Sequence, residues 1–451
     1  MAGERAKGTD LARAIDAWLG RVPLRREVVE WVRAARTGVY LVGGTVRDAL
    51  LGRDSDDLDF AVEGGAAALA RAVADHIGGA YVLMDAERDV ARVLRRTRGR
   101  RQQFDFAGLR AGDIVADLAA RDFTVNAMAL PVGEGWGGLL DPTGGLGDLE
   151  ARTLRAASRH AFVDDPLRIL RLVRLAGALG FCADEETEGL ARAWAPSLAD
   201  VSAERLRDEW MLILGLPRAT PSLTQAGRLG VVWTLYGAAP RAADWSAALA
   251  ALARLETWRD EWAAGEEPDL WVDLAPRLAE RWQEEVSPGR GRSALVRLAV
   301  LLADHDAPAA AAMRLRLSTR EVRLLSRAVA AAAALGQDRS AAEPGPLQTY
   351  RFFRRYGDDG VEGALLAMAR AEASGSARVS AAFLALVRSW FDRHAQTVDP
   401  PRLIGGDDVM ALLGASAGPR IGAMLEKVRE AQVQGLVHNR DQALEYLRAR
   451  R

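Results

Sequence analysis

Apolar positions along the chain follow two different periods. In the first third, short apolar or alternating runs at Val39 to Val42, Leu58 to Val62, Tyr81 to Met84, Val90 to Leu94 and Gln103 to Ala107 predict β-strands. Beyond about Leu154 such runs cease. Pro166 to Leu179, Ser202 to Leu214, Ala247 to Trp262, Ser293 to Ala303 and Ser318 to Ala334 carry apolar residues three and four apart, which predicts amphipathic helices. The expected fold class is α+β, a head with a β-sheet followed by an all-helical remainder. Breaks rich in Gly, Pro and Ser at Gly215 to Thr220, Gly336 to Pro346 and Asp399 to Gly406 subdivide the helical part. The expected divisions are a helical extension over 1–37, a head over 38–154, a neck over 155–215, a body over 216–336 and a tail over 337–451. No internal repeat is visible, and the alanine-rich stretch from Ala328 to Ala334 reads as a closely packed helix.

Composition narrows the class. With 451 residues, 49% apolar and 27% charged, the chain can bury a large core, which excludes disorder and collagen. No apolar run approaches the ~20 residues of a membrane span, and Met1 to Asp10 is charged with no apolar signal core behind it. A soluble, cytoplasmic protein is expected. A single cysteine, Cys182, excludes an internal disulfide, and five scattered histidines give no reason to expect structural zinc. Sixty basic and 61 acidic residues cancel, so a nucleic-acid partner depends on where the charge sits. The basic side is almost all arginine, with lysine only at Lys7 and Lys427. A planar guanidinium suits phosphates and base edges, although a GC-rich genome produces the same bias.

Candidate chemistry begins at Leu41-Val42-Gly43-Gly44-Thr45-Val46-Arg47-Asp48, which reads as a strand, a diglycine turn and a helix starting near Thr45. Glycine lets a phosphate chain approach the backbone amides of such a turn. The sequel Asp56-Asp57-Leu58-Asp59-Phe60 places Asp57 and Asp59 on one strand face while Leu58 and Phe60 enter the core. Adjacent carboxylates repel unless a cation lies between them, so the pair reads either as a magnesium site or as a solvated acidic turn. Asp105, between Phe104 and Phe106, lies on the face opposite to theirs and is either a third metal carboxylate or an ordinary polar residue. The run from Arg92 to Arg101 holds six arginines and no acid, and fits an RNA or triphosphate contact as well as a solvated hairpin edge.

Taken in order, Gly43-Gly44-x-Val46-Arg47-Asp48, Leu51-Gly52, Asp57-x-Asp59, Arg121-Asp122-Phe123-Thr124-Val125-Asn126-Ala127, Asp141-Pro142-x-Gly144-Gly145 and Asp164-Asp165-Pro166-Leu167-Arg168-Ile169-Leu170-Arg171 resemble the class II tRNA nucleotidyltransferase and bacterial poly(A) polymerase family. The resemblance runs from Val39 to Leu214, and less specifically over Leu403 to Leu447. It implies a nucleotidyltransferase-type head with a mixed β-sheet, followed by helical neck, body and tail. It further implies that Asp57 and Asp59 hold Mg²⁺, that Gly43, Gly44 and Arg47 hold the triphosphate, and that Arg121, Asp122 and Asn126 select the ribose. Asp122 can also cap a helix opening at Phe123. Asp164, Asp165, Arg168 and Arg171 belong to the segment that resembles the family's amino-acid template for the incoming base, in which glutamate is usual where Asp164 stands. A carboxylate accepts from the amino group of cytosine or adenine while an arginine donates to the ring nitrogen, so one Asp/Arg pair can recognise both bases and reject guanine and uracil. Asp165 reads equally as an N-cap before Pro166. Ser202 to Glu209 resembles a neck motif, with Ser202 as a helix cap and Arg205 to Glu209 as an i, i+4 pair.

The implied activity is untemplated addition of nucleotides from CTP and ATP to the 3′ end of tRNA, with release of pyrophosphate. Asp105 is a further catalytic candidate, and Arg402, Arg420 and Arg429 are the tail's candidate RNA contacts. The alternatives are a CC-adding, A-adding or poly(A)-adding relative, distinguished in the family within Asp85 to Arg101, or a non-catalytic RNA-binding protein. Many relatives carry a phosphohydrolase in the body. Here Asp304-His305-Asp306 offers one His-Asp pair with no histidine between His160 and His305, so that ligand set is incomplete. No motif points to an obligatory protein partner or a membrane.

Overall fold

The computed structural model describes residues 2–35, 38–97, 99–133, 135–237, 242–265, 271–337, 343–375, 380–414 and 416–450. The chain divides into two compact units, Met1–Leu198 and Ala199–Arg451. The division falls inside the segment 155–215.

The first unit is built on strands β1 (Val39–Val42), β2 (Asp57–Val62), β3 (Ala80–Asp85), β4 (Val90–Thr97), β5 (Arg100–Gly108), β6 (Ala129–Gly133) and β7 (Gly135–Trp136). Among the described residues they form one sheet in the order β3-β4-β5-β2-β1-β6-β7. β2 and β5 run parallel and every other neighbouring pair antiparallel, so the sheet is mixed as expected. The two-residue period sorts its faces. Leu58, Phe60, Val93, Phe104 and Phe106 are buried, with the Phe60 and Phe106 rings stacked 4.7 Å apart, and helix α4 (Ala66–Ile77) packs against β4 and β5. Asp57, Asp59, Arg92 and Asp105 take the alternate positions. The strand β6 was not foreseen, because Pro131 breaks its apolar run and reads against a strand interior.

The extension folds as two helices, α1 (Ala2–Gly20) and α2 (Pro23–Ala35). Their buried Trp18, Arg25, Val28 and Val32 belong to the core of this unit. Three contacts tie them to the loop entering β2. The Trp18 indole donates to the Arg53 carbonyl (2.5 Å), Arg21 donates to the Gly52 carbonyl (2.7 Å), and Arg25 donates to Gln102, which in turn donates to Asp56. The Arg25 guanidinium lies 4.5 Å over the Trp18 ring.

The helix expected to open at Phe123 is a single 3-10 turn, Thr124–Asn126. Phe123 is extended and bridged to Ala156, and Ala129 already enters β6, so no length remains for a longer helix. The remaining helices of the unit are α3 (Gly44–Leu50), α5 (Ile114–Ala119), α6 (Gly145–Glu150), α7 (Ala161–Asp164), α8 (Arg168–Leu179) and α9 (Glu185–Trp194).

The second unit is helical where periodicity placed helices, at Ala203–Leu214, Ala242–Ala264, Arg292–Leu301 and Thr319–Gln337. Two short ladders lie beyond the expected end of β-structure, Thr153–Leu154 with Cys182–Ala183 in the first unit and Glu285–Ser287 with Arg290–Gly291 in the second. Strands of two or three residues are too short to show a period. Ser202 occupies the N-cap position of Ala203–Leu214, but its hydroxyl makes no capping bond. Asp304 is paired with Arg370 at 2.7 Å, and His305 Nδ1 accepts from the Ala307 amide. Tail helices Gly406–Leu413, Pro419–Val433 and Arg440–Arg448 close over a core of Val409, Ile421, Val428, Ala443 and Leu447. No helix among the described residues is long and apolar enough to cross a membrane.

Candidate active site

Asp57, Asp59 and Asp105 lie on one face of the sheet. Asp59 and Asp105 are register partners across the parallel β2–β5 pair, and Asp57 lies opposite Gln103. The burial of Asp59 and the negative charge of Asp105 push its carboxyl up to about 6, although Arg121 and Arg47 oppose the rise. Burial, then Asp105, raises Asp57 as well. Asp105 itself is clamped by Arg92, Nε to Oδ1 at 2.7 Å and Nη2 to Oδ2 at 2.9 Å, and accepts from Gln103 at 3.1 Å. Both Asp105 oxygens are thus engaged by protein donors, and no group of three potential ligands converges among the described residues.

The diglycine turn hangs over Asp59. A Cβ at Gly43 would lie 2.7 Å from Arg121 Nη1 and 3.7 Å from an Asp59 oxygen, and one at Gly44 would lie 3.7 Å from the same oxygen. Gly43 has φ of 65° and ψ of −132°, a conformation open chiefly to glycine. Thr45 Oγ1 accepts from the Asp59 amide at 2.7 Å, fixing β2 to the start of α3. From there a chain of bonds runs through the unit. Arg47 donates to Asn126 (2.6 Å), Asn126 donates to Asp122 (3.0 Å), and Arg171 on α8 donates to Asp122 from Nε (2.8 Å) and pairs through Nη2 at 2.7 Å. Burial alone would raise the Asp122 carboxyl, but Arg171, Asn126 and the Phe123 amide hold it below the ordinary range. Arg121 is steadied by Asp117 one helical turn earlier, at 3.0 Å.

The base-template segment sits less openly than its sequence suggests. Asp164 is exposed at the end of α7. Asp165 accepts from the Leu167 amide at 3.2 Å, so the turn it stabilises precedes α8, which begins at Arg168 with Leu167 in the N-cap position. Arg168 is 9% exposed and donates to the carbonyls of Ala120 (2.8 Å), Ala161 (3.2 Å) and Arg121 (3.3 Å). Burial lowers its affinity for a proton, against the nearby charges of Asp122 and Asp165. In the tail, Arg402 and Arg420 are exposed, whereas Arg429 is half-buried and bonded to Tyr350.

Known proteins resemble this chain in sequence and in fold. The Poly A polymerase head domain matches residues 39–155, and the probable RNA and SrmB-binding site of polymerase A matches residues 180–234. A CC-adding tRNA nucleotidyltransferase of Geobacter sulfurreducens is 39% identical over 94% of this chain and 95% of its own. The chain belongs to the tRNA nucleotidyltransferase family. An A-adding member from Deinococcus radiodurans is 33% identical over 89% of this chain and 92% of its own. A solved CCA-adding enzyme in complex with CTP shares the fold, with a TM-score of 0.69 at 23% identity over 98% of both chains. This member of the tRNA nucleotidyltransferases is therefore an enzyme of nucleotidyl transfer.

Three supporting residues carry no role in the sequence pattern: Thr45, Gln102 and Asp117. Only Asp117 left a signal, its i, i+4 spacing to Arg121. The donor set of Asp57 and Asp59 fits a divalent cation, because both are oxygen donors on one strand face whose charged forms are disfavoured by burial and by Asp105, so an added positive charge is favourable there.

Proposed function

We propose that this chain adds cytidylates from CTP to the 3′ end of tRNA without a template, with Mg²⁺ held by Asp57 and Asp59. The observation that supports it most is the approach of Gly43 and Gly44 to an Asp59 oxygen, with Arg121 against Gly43, which puts a phosphate-accepting turn beside a cation-accepting pair. The 39% identical relative, matched over nearly the whole of both chains, bears the CC-adding name.

In this reading Gly43, Gly44, Arg47 and Arg121 hold the triphosphate against the carboxylates. When bound there, the cation would lower the pKa of the terminal 3′-hydroxyl and neutralise charge on the α-phosphate. Asp122 and Asn126 accept and donate at the ribose, and their bonds to Arg171 and Arg47 keep them oriented. Asp165 and Arg168 read the base, flanked by Asp164. A guanidinium carries five N–H donors, more than the Ala120, Arg121 and Ala161 carbonyls occupy, and those bonds hold it rigid. Asp105 serves by holding Arg92 beside the carboxylates. We assign 38–154 as the catalytic head, 155–215 as the neck, 216–336 as the body and 337–451 as the RNA-binding tail.

The Asp165/Arg168 pattern matches adenine as well as cytosine, so ATP is the second donor to test. Purified enzyme is given tRNA lacking its last three nucleotides with labelled CTP, ATP or both. The expected product with both nucleotides ends in CC. Adenylate placed after CC would establish full CCA addition instead, and no incorporation of either nucleotide would sink the assignment. Asp57→Ala should abolish transfer while tRNA binding stays within twofold of the parent.

A further inference from the structure

The six arginines between Arg92 and Arg101 do not share one role. Arg92 is locked on Asp105, Arg95 donates to the Gly78 carbonyl, and Arg100 pairs with Asp56 at 2.9 Å. Arg98 lies outside the described residues. Arg96 and Arg101 remain. They are direct cross-strand partners near the end of the β4–β5 hairpin, both exposed, and neither side chain has a hydrogen bond or ion pair to a described residue. Like charges placed opposite one another across a ladder are destabilising. An anion lying between them would remove that repulsion.

Their face is fixed by register. Arg92 opposes Asp105, Leu94 opposes Gln103, and Arg96 opposes Arg101, while Asp59 and Asp57 oppose Asp105 and Gln103 on the other side of β5. With a period of two, Arg96 and Arg101 therefore project from the same face as the carboxylates. They lie about 7 Å further along the strands, and the charge of Arg101 reaches Asp57.

We propose that Arg96 and Arg101 bind the last phosphodiesters of the RNA 3′ end and bring its hydroxyl over the carboxylate face. The inference rests on the nucleotide site of the preceding section and adds the path of the second substrate. Direction separates RNA from triphosphate. The diglycine turn joins β1 to α3, so the leaving pyrophosphate lies on the β1 flank of β2, whereas β5 and β4 form the other flank. Attacking and leaving oxygens stand in line on opposite sides of the transferred phosphorus. The hydroxyl therefore arrives over β5 and β4, where this pair stands.

The test uses the full-length double variants R96Q/R101Q and R96K/R101K. Each is given tRNA with its single-stranded 3′ end and the same tRNA trimmed to its acceptor duplex, across a salt series. In R96Q/R101Q, binding of the untrimmed tRNA should weaken about tenfold or more, as the loss of a charge-assisted bond implies. Its slope of log affinity against log salt should fall by about 1.4, two single-strand phosphates at ~0.7 each. Binding of the trimmed tRNA and the KM for CTP should be unchanged, and R96K/R101K should recover most of the loss. Equal weakening on both RNAs, a raised KM for CTP with RNA affinity intact, or no change would each overturn the inference. A failure of the functional reading shows separately, as a parent enzyme that transfers nothing to tRNA.

Discussion

Asp59 shows how far a single side chain departs from what its letter conveys. The Asp-x-Asp spacing gave the shared face, but its protonation depends on burial and on Asp105, which is 46 positions away in the chain and directly across the sheet. Its folded value of about 6 lies above the ordinary ~3.9 of an unfolded chain. For this raised acid, the stabilising contribution is full below about pH 4 and is lost as pH rises through about 6. Without metal, the charged form is therefore a burden on the fold at neutral pH. Asp59→Asn should raise the melting temperature in EDTA at pH 8, raise it much less at pH 5, and abolish transfer at both. Equal shifts at the two pH values would show that Asp59 is ordinarily solvated. Asp122 is the counterexample, because Arg171 and Asn126 keep it ionised despite burial.

Elements were legible in proportion to their length and regularity. Long helices such as Thr319–Gln337, and strands with one buried face such as β2 and β5, carried their period openly. β6, interrupted by Pro131, and the two- and three-residue ladders carried none. The partners of an element were not readable at all. Nothing in the first 37 residues announced that α1 and α2 grip the loop from Gly52 to Asp56, which leads directly into Asp57. That grip gives a prediction. Trp18→Phe removes the donor to Arg53 and shrinks a fully buried ring, and should cost about 2 kcal/mol of stability in denaturant titration. It should also raise the Mg²⁺ concentration needed for half-maximal transfer, since the entry to β2 would be less fixed. An unchanged Mg²⁺ requirement would confine the helices to a stabilising role.

For the enzyme acting on a large RNA, the near balance of acid and base means that binding rests on where arginines stand free. Arg402 and Arg420 are exposed in the tail, whereas Arg429 is engaged with Tyr350, and Arg351 and Arg354 are neutralised by Glu430 and Glu426. Replacing Arg402 and Arg420 together by Gln should weaken tRNA binding and flatten its salt dependence by about 1.8, two duplex phosphates at ~0.9 each, with the KM for CTP unchanged. A parental salt slope would place the RNA elsewhere. The same arginines illustrate the limit of the letters. Periodicity is a local property, so the strand-rich head, the helical remainder and the paired carboxylates followed from order along the chain. Local spacing also carried the motifs of the nucleotidyltransferases, because the diglycine turn, the Asp-x-Asp strand and the template segment are each contiguous. Which charge meets which is a matter of distance in space. Arg92 on Asp105 and Arg96 facing Arg101 without an acid were decided by the register of the β4–β5 hairpin, and Arg168 on three carbonyls only when α8 packed against distant parts of the chain.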